Sequence, residues 1–196
     1  IIALDCGIKA VEKVDYAKSK GIDFIICDHH LPGDEIPRAV AVLDTKQSDC
    51  NYPFKELSGC GVGFKLMQRY CKSKGIPLDE LYPYLDLVAV SIASDIVPVI
   101  DENRILTYYG LQHLNQSPSR GLKAIIKLAG IEKHDIAIDD IVFRIGPRIN
   151  AAGRMESGKS AVDLLCAEDD SIASEMGSVV NLCNNNRKEV DRTITH

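Results

Sequence analysis

The sequence predicts an α/β protein with a doubly wound parallel sheet, followed by a helical region and a long closing helix. Short runs that are apolar throughout recur early, in "IIALDCG" (1–7), "IDFIICDHH" (22–30) and "AVAVLD" (39–44). Strands of that kind are buried on both faces, as in parallel sheets. The segment "AVEKVDYAKSKG" (10–21) has helical spacing and a Gly stop, so it reads as the crossover between the first two strands. After Asp44 the period of the pattern changes from strand to helix.

The elements follow in order. "IIALDCG" is a buried-type strand closed by Asp5 and Gly7, and the second run ends in Asp28, His29 and His30 before the turn "LPGDE". The third run ends in Asp44, and "TKQSDCNYPFKE" is a loop. "GVGFKLMQRYCKSKG" is a helix behind a Gly-rich entry, and "DELYPYLDLVAVSIASDIVP" is a buried helix broken near Pro83. "DENRILTYYGLQHLNQ" and "SRGLKAIIKLAG" are further helices, the first with an acidic start and the second with a stop at Gly130. "AIDDIVFRIGPRINAAGRM" starts as a helix and is expected to break at Gly146-Pro147. "SGKSAVDLLCAED" and the long, one-side-polar "DSIASEMGSVVNLCNNNRKEVDRTI" close the chain, the latter as an expected interdomain connector.

Composition narrows the function. The 196 residues are 45% apolar and 26% charged, which is enough for a real core. No apolar run reaches the ~20 residues of a membrane span, so no membrane role is expected. Seven cysteines, an odd number without a C-x-x-C pair, read as reduced thiols of a cytoplasmic protein. The net charge of −5 argues mildly against a polyanionic partner, an argument that bound divalent metal reverses locally. The apolar start without Met and the open polar end are expected of a piece of a longer protein.

The chemistry lies at the strand ends. In a parallel sheet ligands gather at the carboxyl ends of strands, and Asp5 and Asp28 close the first two. Asp after a buried strand is by itself commonly a turn or helix-cap residue; Asp-His-His in one turn is harder to explain that way. Clustered Asp and His suit Mn²⁺ or Mg²⁺ better than structural zinc. Adjacent residues leaving a strand cannot all face one metal, so one His is expected to ligate, Asp28 to orient it, and the other His to contact substrate. Asp95, in "ASDIVPV", offers a bridging carboxylate at a helix end.

These motifs resemble the DHH phosphoesterase superfamily over nearly the whole chain. "LDCGI" is similar to its second acidic motif, "CDHH" to its name-giving motif, "LSGCGVGFKL" to the Gly-rich helix entry, and "ASDIVPVIDENR" to its fourth metal motif. "GPRINAAGRM" resembles the single-strand-specific exonuclease branch rather than the small-substrate members. The resemblance implies Asp5, His29 and Asp95 as metal ligands, Asp28 as support for the site, and His30 against the scissile phosphate. It implies a pair of Mn²⁺ or Mg²⁺ ions, 5′→3′ hydrolysis of single-stranded DNA in repair and recombination, and Arg148, Asn150 and Arg154 beside the DNA. Guanidinium forks suit phosphate.

The family's first motif, a strand-end Asp-x-Asp, is absent from these residues, as is its C-terminal DHHA1 domain. The expected organisation is therefore a DHH domain over 1–168 lacking its Asp-x-Asp strand, with residues 169–196 a connector helix, and an inactive fragment of an active parent. The competing readings are a phosphoesterase of oligonucleotides or cyclic dinucleotides, and a non-catalytic DHH domain that binds DNA or a partner. Gly59, Gly61 and Gly63 do not have P-loop spacing and are expected to let a helix approach the metal edge closely. Tyr82, Tyr84, Tyr108 and Tyr109 are expected to pack between helices rather than to stack bases.

Overall fold

The structure is a computed structural model that describes residues 1–131, 135–155 and 158–194, except the side chains of 154, 155, 191 and 194. It divides into two compact units, Ile1–Tyr108 and Tyr109–His196. The expected limit at 168 does not fall on that division.

The first unit is built on a three-stranded parallel sheet of β1 (Ile2–Leu4), β2 (Ile25–Asp28) and β3 (Ala41–Asp44), in that order. The register pairs Leu4 with Cys27 and Asp28 with Asp44, so the acids that end β2 and β3 stand side by side. The crossover from β1 to β2 is α1 (Val11–Ser19), as its helical spacing predicts. Central β2 is the buried strand, with Ile26 and Cys27 fully covered. The edge strand β1 departs from expectation: Ile2 and Leu4 are 58% and 53% exposed. Among the described residues it pairs with β2 alone, and an apolar run by itself does not show whether both of its faces are covered.

Helix α2 (Gly59–Lys74) packs against β1 and β2. Ser58 caps it by accepting from the Gly61 amide at 3.1 Å, and Gly75 ends it in the left-handed region at φ 68°. A 3₁₀ helix (Leu78–Tyr84) containing Pro83 leads into α3 (Leu85–Ser94), so the expected break near Pro83 is present. Leu57, Val62, Phe64, Val88 and Ile92 join Cys27 in one buried cluster that fixes α2 and α3 to the sheet. Side chains of α4 (Asp101–Gln116) tie the loops down. Buried Asn103 donates to the carbonyls of Glu56 and Pro98 at 2.6 and 3.0 Å, and Glu102 accepts from both Tyr52 and Lys65.

The second unit is helical. It comprises the end of α4 from Tyr109, α5 (Arg120–Ala129), α6 (Ile138–Asp140), a π-helical turn (Ile141–Ile145), α7 (Gly146–Met155), α8 (Gly158–Leu165) and α9 (Asp170–Ile194). "GPRINAAGRM" is thus one continuous helix. The expected break at Gly146-Pro147 is absent: α6, the π-helical turn and α7 run on without a gap, Gly146 is helical at φ −53° and ψ −47°, and the wider π-turn lies just where Pro147 has no amide to donate. Ala151 and Ala152 are fully buried, and α7 packs on α8 and α9. The expected connector, α9, also packs on α5 and α8 and buries Ala173, Val180 and Cys183. No described helix is long and apolar enough to cross a membrane.

Candidate metal centre

Asp5 leaves β1 in the left-handed region at φ 62°, which Asp tolerates better than most residues. Its amide donates to the Cys27 carbonyl at 2.8 Å, so the backbone ladder fixes where the carboxylate starts. The N-terminal end of α2 stands directly behind it. A Cβ placed on Gly59 would lie 2.0 Å from Asp5 Oδ1 and 2.5 Å from its Cγ. Glycine at this position is therefore what lets the helix reach the strand end. The positive end of a helix dipole faces the carboxylate there.

Asp28 is the structural centre of its motif. Only 1% exposed, it accepts from the amides of Ile8 (2.9 Å), His29 (2.8 Å) and His30 (3.2 Å). Its Oδ1 also meets His30 Nδ1 at 2.7 Å. Burial works to raise its pKa, but these hydrogen bonds outweigh burial and hold it below the usual carboxylate range. An ionised carboxylate only accepts, so His30 Nδ1 carries the proton. That leaves Nε2 of the exposed His30 ring free of this contact.

His29 is buried, and its Nε2 lies 3.1 Å from Asp5 Oδ1. One donor atom each from Asp5, His29 and His30 lie within 4.8 Å of one another. The two imidazoles meet edge to face, with ring centroids 4.6 Å apart. Burial raises the Asp5 pKa, and the nearby charge of Asp95 raises it further against the opposing effect of His29. Asp95 ends α3, where Ser91 Oγ donates to its Oδ2 at 3.3 Å. The next residue, Ile96, is held at φ 55° while 82% exposed, a strained position for a β-branched side chain. Asp95 thus reaches the field of Asp5 but stands outside the close Asp5–His29–His30 trio.

Sequence reasoning passed over two acids. Asp44, 3% exposed, holds the Lys46 amide at 2.8 Å, and burial raises its pKa. The same signal that marked Asp5 and Asp28, an acid closing an apolar run, was present at Asp44. Asp86 is fully buried at the start of α3, where its Oδ1 accepts from the Leu87 amide at 2.6 Å; nothing in its local pattern marks it. Burial, with the charges of Asp5, Asp95 and Asp86, pushes the Cys60 thiol up to about 11.

The remaining predicted positions lie in the second unit. Arg148 is half-buried, with Nε donating to Asn181 Oδ1 at 3.0 Å and Nη1 to the Arg144 carbonyl at 2.6 Å. Asn150 is exposed on α7. The side chain of Arg154 lies outside the described residues. The tyrosines depart from expectation: Tyr82, Tyr84, Tyr108 and Tyr109 are all more than half exposed. Apolar alternatives such as Leu81 and Leu85 fill the adjacent buried positions.

Parallel strands delivering Asp and an Asp-His-His turn to one edge, beside a glycine-entry helix, are the features of a DHH domain. Residues 1–92 match the profile described as DHH family, N-terminal domain. The whole chain is similar to a particular kind of member, RecJ. It is 41% identical over 195 residues to the single-stranded-DNA-specific exonuclease RecJ of Bacillus subtilis (strain 168), a match covering 100% of this chain and 24% of the relative. Against RecJ of Escherichia coli (strain K12) the identity is 36%, over 98% of this chain and 35% of the relative. The solved RecJ of Thermus thermophilus in complex with Mn²⁺ superposes with a TM-score of 0.87 at 28% identity, covering 98% of this chain and 28% of that one. Another solved structure, exonuclease RecJ bound to manganese, gives 0.87 at 29% identity, over 98% and 48% of the two chains. The chain therefore spans about a quarter to a third of the length of these curated relatives.

Proposed function

We propose that this chain is the central part of a metal-dependent 5′→3′ exonuclease that hydrolyses phosphodiester bonds of single-stranded DNA. The observation that carries the reading is the convergence of Asp5, His29 and His30, joined electrostatically by Asp95, at one strand edge. The relatives named as single-stranded-DNA-specific exonucleases, and the Mn²⁺ and Mg²⁺ in their solved structures, support it.

The donor set fits a divalent ion. Carboxylate oxygen and imidazole nitrogen together suit Mn²⁺ and, more weakly, Mg²⁺. Two acids sharing one field, at Asp5 and Asp95, are relieved by a cation between them. Asp5 and His29 would hold the metal, with Asp95 approaching from the helix end; a bound ion supplies Lewis-acid polarisation of the phosphate and an activated water. Asp28 keeps the proton of His30 on Nδ1 and thereby aims Nε2 outward, where the exposed ring meets a phosphate oxygen. Arg148, Asn150 and Arg154 are proposed to line the DNA path, with one qualification from the geometry: part of the Arg148 guanidinium is already committed to Asn181 and Arg144.

The proposed organisation remains a DHH domain over 1–168 continuing into 169–196, within a soluble cytoplasmic repair and recombination enzyme. The test is digestion by a full-length protein carrying this segment, with 5′- and 3′-labelled single strands, duplexes and cyclic dinucleotides offered in Mn²⁺. Loss of label from the 5′ end of single strands alone is the expected result. Preference for short or cyclic substrates would establish the small-substrate reading instead.

A further inference from the structure

Asp28 leaves one task undone. A histidine that ligates metal through Nε2 carries its proton on Nδ1, and that buried N–H needs an acceptor to hold the ring. The oxygens of Asp28 are taken by three backbone amides and by His30. None of these contacts is to the His29 ring, and His29 Nδ1 is buried without a hydrogen-bond partner among the described residues.

One strand away lies its complement. Asp44 stands in register with Asp28, and its carboxyl interacts electrostatically with both Asp28 and His29. Its Oδ1 holds the Lys46 amide, while Oδ2 is buried without a partner among the described residues. Unpaired buried polar atoms each cost about 1–3 kcal/mol, so they are rare in native structures and call for an explanation. Here a donor position and an acceptor lie unpaired at adjacent strand ends, within one electrostatic neighbourhood.

We infer that Asp44 is a positioning residue for the metal centre: with metal held at His29 Nε2, Asp44 Oδ2 accepts the Nδ1 proton of His29 across one water and fixes the ring so that Nε2 stays on the Asp5 side. A carboxylate behind a ligating imidazole sets its tautomer and ring angle and raises its basicity. Asp28 and Asp44 then divide the labour, the former holding His30 and the latter His29. The Nδ1 proton, like the consequence for metal affinity, rests on the metal reading above: without metal, His29 Nε2 faces Asp5 Oδ1 at 3.1 Å and is the nitrogen that donates.

The experiment uses the 196-residue chain. Long-range ¹H–¹⁵N spectra report which His29 nitrogen carries the proton, and Mn²⁺ affinity is read by water-proton relaxation. In the wild-type chain loaded with diamagnetic Mg²⁺ the proton is expected on Nδ1 and slow to exchange. Asp44→Asn, whose amide oxygen still accepts, should keep that signature, and Asp44→Ala should lose it. Mn²⁺ affinity should fall about 10–100-fold in Asp44→Ala, and much less in Asp44→Asn. A purely structural Asp44 would lower the Tm without moving the His29 signal. An unprotonated Nδ1 in the Mg²⁺-loaded wild-type chain overturns the inference whatever the variants do, as does an unaltered, slowly exchanging Nδ1 proton in folded, Mg²⁺-loaded Asp44→Ala. Should Asp44→Ala not fold, the wild-type spectrum and Asp44→Asn decide. If wild type binds neither Mn²⁺ nor Mg²⁺, the metal reading fails and the inference with it; if it binds metal with Nδ1 unprotonated, the inference alone fails.

Discussion

Replacing Gly59 by alanine tests how the helix and the strand end build the metal centre together. The added Cβ would sit 2.0 Å from Asp5 Oδ1, 2.5 Å from Cγ and 2.7 Å from Cβ. Rotating the Asp5 side chain relieves the first two overlaps. The third persists at any χ1, so the strand end or the first turn of α2 has to move. Overpacking of this kind costs about 1–3 kcal/mol. Alanine's higher helix propensity returns at most about 1 kcal/mol, and less in a first turn than in a helix interior. The net loss of stability is therefore small, roughly 0–2 kcal/mol. The effect on the site is larger, because the displaced group is the proposed ligand. A shift that weakens the Asp5 contribution by about 1.4 kcal/mol lowers affinity tenfold, and we expect at least that for Mn²⁺. Calorimetric titration with Mn²⁺, alongside a thermal melt, separates the two effects. Gly61→Ala is the control, since the nearest atoms to its Cβ would be Ser58 Oγ at 3.3 Å and Leu57 carbons at 3.6 Å. Wild-type Mn²⁺ affinity in a folded Gly59→Ala chain would refute the argument that Asp5, set by this contact, holds the ion.

Asp28→Ala removes the acceptor of the Ile8, His29 and His30 amides, and should cost about 3–5 kcal/mol in a denaturant titration at pH 7, as breaking a buried charged network does. Because the Asp28 pKa is lowered on folding, its contribution is fully present above the ordinary carboxylate pKa and is lost as pH falls through the folded value; the Asp28→Ala chain should show a shallower loss of stability between about pH 5 and pH 2. Asp5 works in the opposite sense: its pKa is raised on folding, so protons compete with metal for its carboxylate as pH falls, and Mn²⁺ should raise the Tm more at pH 7 than at pH 4. In the second unit, Gly121→Ala would place a Cβ 2.4 Å from the Leu164 carbonyl oxygen and 2.8 Å from Leu165 Cα, both backbone atoms, so α5 and α8 must separate and the melt should show a loss of about 2–3 kcal/mol. In a full-length protein, Arg154→Ala should weaken single-strand binding and lower the salt slope by about 0.7 while Mn²⁺ affinity stays unchanged; unaltered affinity and slope in a filter-binding series would remove Arg154 from the DNA path.

The sequence by itself determined the local elements. Apolar runs closed by acids became β1, β2 and β3, and helical spacing with Gly stops became α2 and α5, ending at Gly75 and Gly130. It also placed Asp5, Asp28 and the two histidines at strand ends, because a parallel sheet sends all its carboxyl ends to one edge. These features are local, and spacing along the chain reports them. What depends on packing between distant segments needed the tertiary structure. Asp28 turned out to be occupied by His30 and backbone amides, while the unpaired carboxylate oxygen lay on Asp44, one strand over. The need for glycine at 59 came from a strand end far away in sequence, not from its own loop. Likewise "GPRINAAGRM" carries a turn-forming dipeptide yet forms a continuous helix, because burying Ala151 and Ala152 against neighbouring helices outweighs that local preference. Local free energies of a few tenths of a kcal/mol to about 1 kcal/mol select the elements, but burial and the pairing of buried polar groups, each worth more, decide which of their side chains meet.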